Sequence, residues 1–439
     1  MKKLLCVVLA IVMTLSLFAG CEKKPPEEVT LKVAAIETAY GAQMWKDVAA
    51  AFTAETGIKV EVVTDKFIED IIGPQMKSGS YPDVVHLSIG RAQALTETLV
   101  KDNAVLDLTN ALSATIPGET KAAKDKISAG FTDSSITNPY ADGKTYLAPM
   151  FYSPCGLFYD ANLLKTNGWE VPKTWDEMWT LGDAAKAKGI ALFAYPHAGY
   201  FDAFFYSLCV GVGGQEFLNK VTSYTEGTWD TAEGAKVIEI IAKLATYTAK
   251  SVPANASDEN FKNNQQLILD DKAIFCPNGT WLPGEMKDAP RAPGFEWGMC
   301  ALPAVTATGK ATSYTFFEQA WIPKEAPHKA EAEKFVSFLY SDKAVEIFAN
   351  EKNGGGAIQP VKGVAEKLSA ANKVFYSIYE NGAVAVMDAF KTTDPVEGIT
   401  PRAFAFNPVD SLVAGTKTAA DYKADLVKLF DNLRPALKK

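Results

Sequence analysis

Aromatic rings and carboxylates at the ends of apolar segments are the side chains best placed for chemistry in this 439-residue chain. Trp281 closes the turn Gly279-Thr280-Trp281, directly after the apolar residues 274–276. Tyr40, Tyr152, Tyr200 and Phe317 lie within or just after other apolar segments, and Glu37, Ser88, Asp202 and Glu318 stand near them. Open α/β sheets bind ligands beyond the carboxyl ends of their strands, so these positions are candidates for one site. A ring face packs on C–H surface, while carboxylates and hydroxyls exchange hydrogen bonds with hydroxyl groups. That pairing suits a sugar. Each ring could instead serve the core, and each acid could be a solvated surface group.

Other chemistries find little support. No HExxH, GxSxG, GxGxxG or phosphate-loop motif occurs. Gly143-Lys144-Thr145 resembles the end of a phosphate loop, but Asn138 stands where its first glycine belongs. The three histidines, His86, His197 and His328, are scattered, so neither a His-rich metal site nor a cofactor is expected. A glycan hydrolase needs two carboxylates that meet in space. With 52 acidic residues, chance pairs are plentiful and carry no signal. The formal net charge of -8 argues against nucleic acid, which is held mainly by clustered Lys and Arg.

The elements that must position these groups follow from periodicity. Residues 31–36 and 58–62 read as strands. Between them Trp45, Val48, Ala49 and Phe52 mark one helix face, with Gly57 suited to the left-handed cap. Residues 83–88 read as a buried parallel strand, completing a βαβ lobe. Residues 146–159 are aromatic, too long for one ordinary strand, and suited to pass between lobes. Thr174 and Glu177 form a capping box for a helix ending near Gly189. Residues 190–195, 274–281 and 297–303 read as strands, and residues 232–249 as a helix. A last helix from about residue 421 aligns Tyr422, Leu426, Leu429, Phe430 and Leu433.

The amino terminus points outside the cytoplasm. Lys2 and Lys3 precede a mostly apolar stretch and then Ala19-Gly20-Cys21, the pattern of a secretory signal. The stretch before Cys21 also resembles a bacterial lipobox, which implies cleavage before Cys21 and lipidation of its sulfur. Acyl chains would then hold residues 21–28 as a charged, Pro-rich tether at the membrane surface. Losing residues 1–20 removes two lysines, giving a net charge of -10. Of the later cysteines Cys155, Cys209, Cys276 and Cys300, wide spacing and apolar neighbours favour buried thiols over disulfides.

The order of these segments resembles the extracellular solute-binding proteins of carbohydrate ABC transporters, of the maltose-binding-protein type. The carrying segments are residues 45–62, Tyr81-Pro-Asp-Val-Val85, Gly143-Lys-Thr-Tyr-Leu-Ala-Pro149, Leu157-Phe-Tyr-Asp160, Pro172-Lys-Thr-Trp-Asp-Glu177, Gly279-Thr-Trp281, and Trp321-Ile-Pro-Lys with a single helix over residues 330–348. The resemblance implies an α/β fold of two lobes joined by crossing strands, with ligand in the cleft. It places lobe one at 29–148 plus 314–352 and lobe two at 149–313 plus 353–439. The last crossing then falls on the glycine run at 354–356. Trp281 sits where the family commonly stacks a sugar. The implied protein is a monomeric, lipid-anchored, non-enzymatic receptor outside the cytoplasm. It would hand a mono- or oligosaccharide to membrane permease subunits. A polyamine, peptide or organic anion is the alternative cargo, and a lipid-anchored glycan hydrolase the more distant alternative.

Overall fold

The structure, a computed structural model, describes residues 29–437 other than 39, 92, 133, 258, 351–355 and 380. The expected signal segment, the tether with Cys21 and most of the glycine run lie outside the described residues.

Among the described residues, nine strands form one sheet in the order β2-β1-β3-β8-β4-β6-β5, with β7 added on β4 and β9 on β8. The first three, β1 (Thr30–Ile36), β2 (Lys59–Asp65) and β3 (Val84–Leu87), are parallel. The apolar sequences of β1 and β3 are explained by helices on both faces of the sheet. Trp45, Val48 and Phe52 of α1 (Gln43–Thr56) join Leu31, Val33 and Ala35 in one cluster. Ile68, Ile72 and Met76 of α2 (Ile68–Lys77) join Ala34 and Ile36 in another. Gly57 ends α1 in the left-handed conformation, with its N–H on the Thr53 carbonyl.

The long aromatic segment is one 13-residue strand, β4 (Ala148–Asp160). It runs antiparallel to β8 (Thr312–Trp321) from Ala148 opposite Ala320 to Cys155 opposite Tyr314, with a bulge between Pro149 and Tyr152. β8 continues onto β3, while β4 continues onto β6 (Ala273–Gly279) and β7 (Trp297–Cys300). β5 (Ala191–Phe193) lies parallel on β6, and β9 (Val384–Val386) parallel on β8. Two strands therefore belong to both halves of the sheet. A further connection passes close by: the Tyr152 N–H reaches the Ile358 carbonyl at 2.8 Å, and Val361 bridges Ile127.

The capping box at Thr174 and Glu177 starts α3 (Trp175–Lys186), and a second at Thr418 and Asp421 starts the carboxyl-terminal helix Ala419–Leu433. Residues 330–348 form two helices rather than one, Lys329–Phe338 and Asp342–Ala349. The Ser341 hydroxyl accepts the Ala344 N–H at 3.0 Å and so starts the second. The four late cysteines are free thiols, and burial pushes Cys300 up to about 12. Among the described residues no helix is long and apolar enough to cross a membrane, and no group of three His, Cys, Asp or Glu side chains could hold a metal.

Candidate functional site

Strand direction decides where a ligand can sit. The carboxyl end of β3 lies against Gln319, with Leu87 opposite it. The carboxyl end of β6 lies against Cys155, itself opposite Tyr314. The two parallel blocks thus point their carboxyl ends at each other, with residues 315–318 of β8 between them. Loops after β1, β2 and β3 face loops after β5 and β6 across the crossing strands, the arrangement in which α/β sheets bind ligands.

The loop after β6 carries Trp281. Its ring stands 6.2 Å from Tyr200 and 6.2 Å, edge to face, from Phe316. A Cβ added to Gly279 would lie 2.2 Å from the Trp281 ring, so that glycine is the recess in which the indole rests. Thr280 N–H bonds to the Ser153 hydroxyl at 3.0 Å and pins the loop to β4. Tyr200, in the first turns of α4 (Ala198–Thr222), stacks on Phe261 at 5.8 Å and donates to Glu285 Oε1 at 3.1 Å. Gln265 donates to the other Glu285 oxygen at 2.9 Å, which fixes the ring's anchor. Burial and the Glu285 charge both raise the Tyr200 phenol, so it remains a donor. Three half-exposed rings and an anchored carboxylate make a shelf suited to the apolar face and hydroxyl edge of a ring-shaped solute.

Asp202 sits one turn into the same helix, beside Cys155, Tyr206 and Tyr314, whose pKa values are raised by burial and, after it, by the Asp202 charge. Burial pushes its own carboxyl up to about 7, against a backbone N–H of Ala203 that lowers it. The folded protein therefore holds a proton that the unfolded chain loses near pH 4. Stability should fall as pH rises from about 4 to 7, by at most roughly 4 kcal/mol, and level off above. Asp202→Asn is expected to flatten that limb of a melting-temperature profile. Parallel profiles for variant and parent would remove Asp202 from the pH response.

Residues 34–346 match the bacterial extracellular solute-binding protein family. The chain belongs to that family. Among its relatives, the diacetylchitobiose-binding protein NgcE of Streptomyces coelicolor is 26% identical over 310 residues, which cover 67% of this chain and 62% of NgcE. That match thus spans less than two thirds of NgcE. The galactooligosaccharide-binding protein of Bacillus subtilis is 25% identical over 410 residues, 90% of this chain and 85% of the relative. The fold is similar to that of RafE from Streptococcus pneumoniae in its apo form, with a TM-score of 0.72 at 17% identity, covering 94% of this chain and 100% of RafE. The two blocks of sheet are the two lobes of a solute-binding protein.

Within this solute-binding protein the candidates separate by strand parity. Tyr314, Phe316 and Glu318 share one face of β8, and Phe317 points to the other. Phe317 is 2% exposed and packs on Phe131, as does its cross-strand partner Tyr152. These two rings meet in the core, whereas Phe316, 36% exposed, meets Trp281. Glu318 is 7% exposed, with Oε2 3.0 Å from His86 Nε2. Tyr40 packs edge-on against Phe151 at 5.8 Å; burial, Tyr376 and Glu318 all raise its phenol. Glu37 is exposed after β1 and accepts from the Thr64 hydroxyl at 3.4 Å. Ser88 is nearly buried after β3, where the Ile89 N–H bonds to the Gln319 side chain at 3.0 Å. Arg91 is held by Glu69 at 2.5 Å. Glu285 and Phe261 carry no sequence signal of their own; Phe316 was a candidate with Phe317 and Glu318 near the second crossing, and the period of two along β8 separates it from Phe317.

Proposed function

We propose that this chain is the substrate-binding subunit of an ABC importer and captures a carbohydrate between its lobes for delivery to membrane permease subunits. The shelf of Trp281, Tyr200 and Phe316 at the facing carboxyl ends carries the reading. Relatives named for diacetylchitobiose and galactooligosaccharide binding support it, as does RafE, also solved with raffinose (TM-score 0.62, 17% identity). In this reading the protein is a monomeric, non-enzymatic receptor, tethered outside the cytoplasm by lipid on Cys21. Its lobes are 29–148 plus 314–352 and 149–313 plus 353–439. Closure gives the permease a bound state it can distinguish from the free one.

The test is a thermal-shift panel on residues 22–439 with diacetylchitobiose, galactooligosaccharides, maltodextrins, raffinose, polyamines, peptides and organic anions. A ligand at 100 times its Kd stabilises by about 2.7 kcal/mol, enough to raise the melting temperature by a few degrees. A saccharide shift that persists overnight is the expected result. A shift confined to polyamines, peptides or anions overturns the cargo class. A sugar shift that decays as products accumulate overturns the non-enzymatic role.

A further inference from the structure

The lobe-two floor of the cleft carries negative charge that no cation among the described residues offsets. Asp202 lies in the first turns of α4, at the cleft end of the helix, and is partly exposed there. Its carboxylate accepts one hydrogen bond, from the Ala203 N–H at 2.5 Å. Burial raises its titration and that bond lowers it; no Lys or Arg contributes. The titratable groups facing it are Cys155 of β4, Tyr206 of α4 and Tyr314 of β8. A second carboxylate, Asp388, stands just beyond β9 and also acts on Tyr314. Its partners are the Gln215 amide and the Ser135 hydroxyl, both neutral. Lys262, beside the shelf, donates to the Glu285 backbone carbonyl at 3.4 Å rather than to a carboxylate.

The uncompensated charge is joined to the Trp281 shelf along β8. Phe316 borders Trp281, and Tyr314, which borders Asp202, shares its face of the strand two residues away. At ordinary strand rise the two β8 residues are roughly 7 Å apart. A sugar ring resting on Trp281 and Phe316 can therefore turn a substituent toward Asp202. A hydroxyl or an N-acetyl group there would share a hydrogen bond but leave the charge unopposed as the ligand displaces water. An ammonium supplies both the donors and the missing opposite charge. We propose that Asp202 makes the cleft selective for a saccharide bearing a free amino group, bound as its ammonium ion. This rests on the carbohydrate reading and narrows it to amino sugars. Pairing with an ammonium would drive Asp202 to its charged form. Burial pushes its carboxyl up to about 7 in the free protein, so capture at pH 7 should release about half a proton.

The experiment is calorimetric titration of the parent and Asp202→Asn at pH 7 with sugars that differ in one substituent. The series are glucosamine, N-acetylglucosamine and glucose; galactosamine, N-acetylgalactosamine and galactose; chitobiose, diacetylchitobiose and cellobiose; spermidine is titrated beside them. In at least one series the parent should bind the free amine about tenfold more tightly than either counterpart. Asp202→Asn should lose that preference while binding the hydroxyl counterpart within about twofold of the parent. Titrating the parent in buffers of different ionisation enthalpy should reveal the released proton, a readout that depends on no variant. An N-acetyl or hydroxyl sugar bound as tightly as its amine overturns the selectivity and leaves the carbohydrate reading intact. So does an amine preference that survives in Asp202→Asn. If the parent binds no amine while another saccharide raises its melting temperature, the selectivity again falls alone. Spermidine binding without any saccharide overturns the selectivity and the carbohydrate reading together.

Discussion

Replacing Trp281 with alanine is expected to weaken saccharide binding about a hundredfold and to leave the melting temperature of the free protein nearly unchanged. Tryptophan anchors in recognition sites commonly cost 2 kcal/mol or more on truncation, and each 1.4 kcal/mol is tenfold in Kd. The fold should survive because Trp281 is only partly buried, on the loop after β6, and rests on Gly279 beside Tyr200 and Phe316, outside the main apolar cluster. Phe317→Ala should show the opposite signature. Phe317 is enclosed beside Phe131, so its truncation leaves a cavity worth about 3–5 kcal/mol of stability. Calorimetric titration and thermal melts on the two variants separate a ligand-facing ring from a core ring. A Trp281→Ala protein that binds as tightly as its parent would remove the shelf from the site.

The second large effect concerns the junction of β3 and β8. His86 is 1% exposed and lies between Trp45 at 4.8 Å and Phe151 at 5.1 Å, ring to ring. Its Nε2 is 3.0 Å from Glu318 Oε2, and among the described residues neither atom has an aligned hydrogen-bond partner. Removing one member of such a pair strands the other in an apolar setting, at a cost of about 3–5 kcal/mol. His86→Leu should therefore lower the denaturant midpoint clearly. Adding Glu318→Met should recover most of the loss, since the carboxylate is then gone as well. The comparison is an equilibrium denaturation series on parent, single and double variants. A double variant no more stable than His86→Leu would show that the histidine acts through packing alone.

Much of the architecture could be read from pattern. The face of α1 at Trp45, Val48 and Phe52, the cap at Gly57 and the capping box at Thr174 are local signals, and local physics sets them. The site was legible only in part, because burial is decided by strand pairing. Phe316 and Phe317 are adjacent and identical in composition; only the register of β8 on β4 sends one to Trp281 and the other to Phe131. Glu285 is separated from Tyr200 by 85 residues, and nothing near either announces their hydrogen bond. The break before Asp342 escaped periodicity because both short helices share apolar spacing, and Ser341 ends the run by a single side-chain bond.

The two strands shared by both lobes have a consequence for how the molecule comes apart. β4 and β8 lie side by side at the centre of the nine-stranded ladder, and every path from β2 to β5 passes through them. Neither half can lose its order without freeing backbone groups that the other half depends on. The lobes should therefore behave as a single foldon, with the amides of the β4–β8 ladder exchanging last and only by global opening. The strands that join the lobes would then leave the molecule no half-folded state.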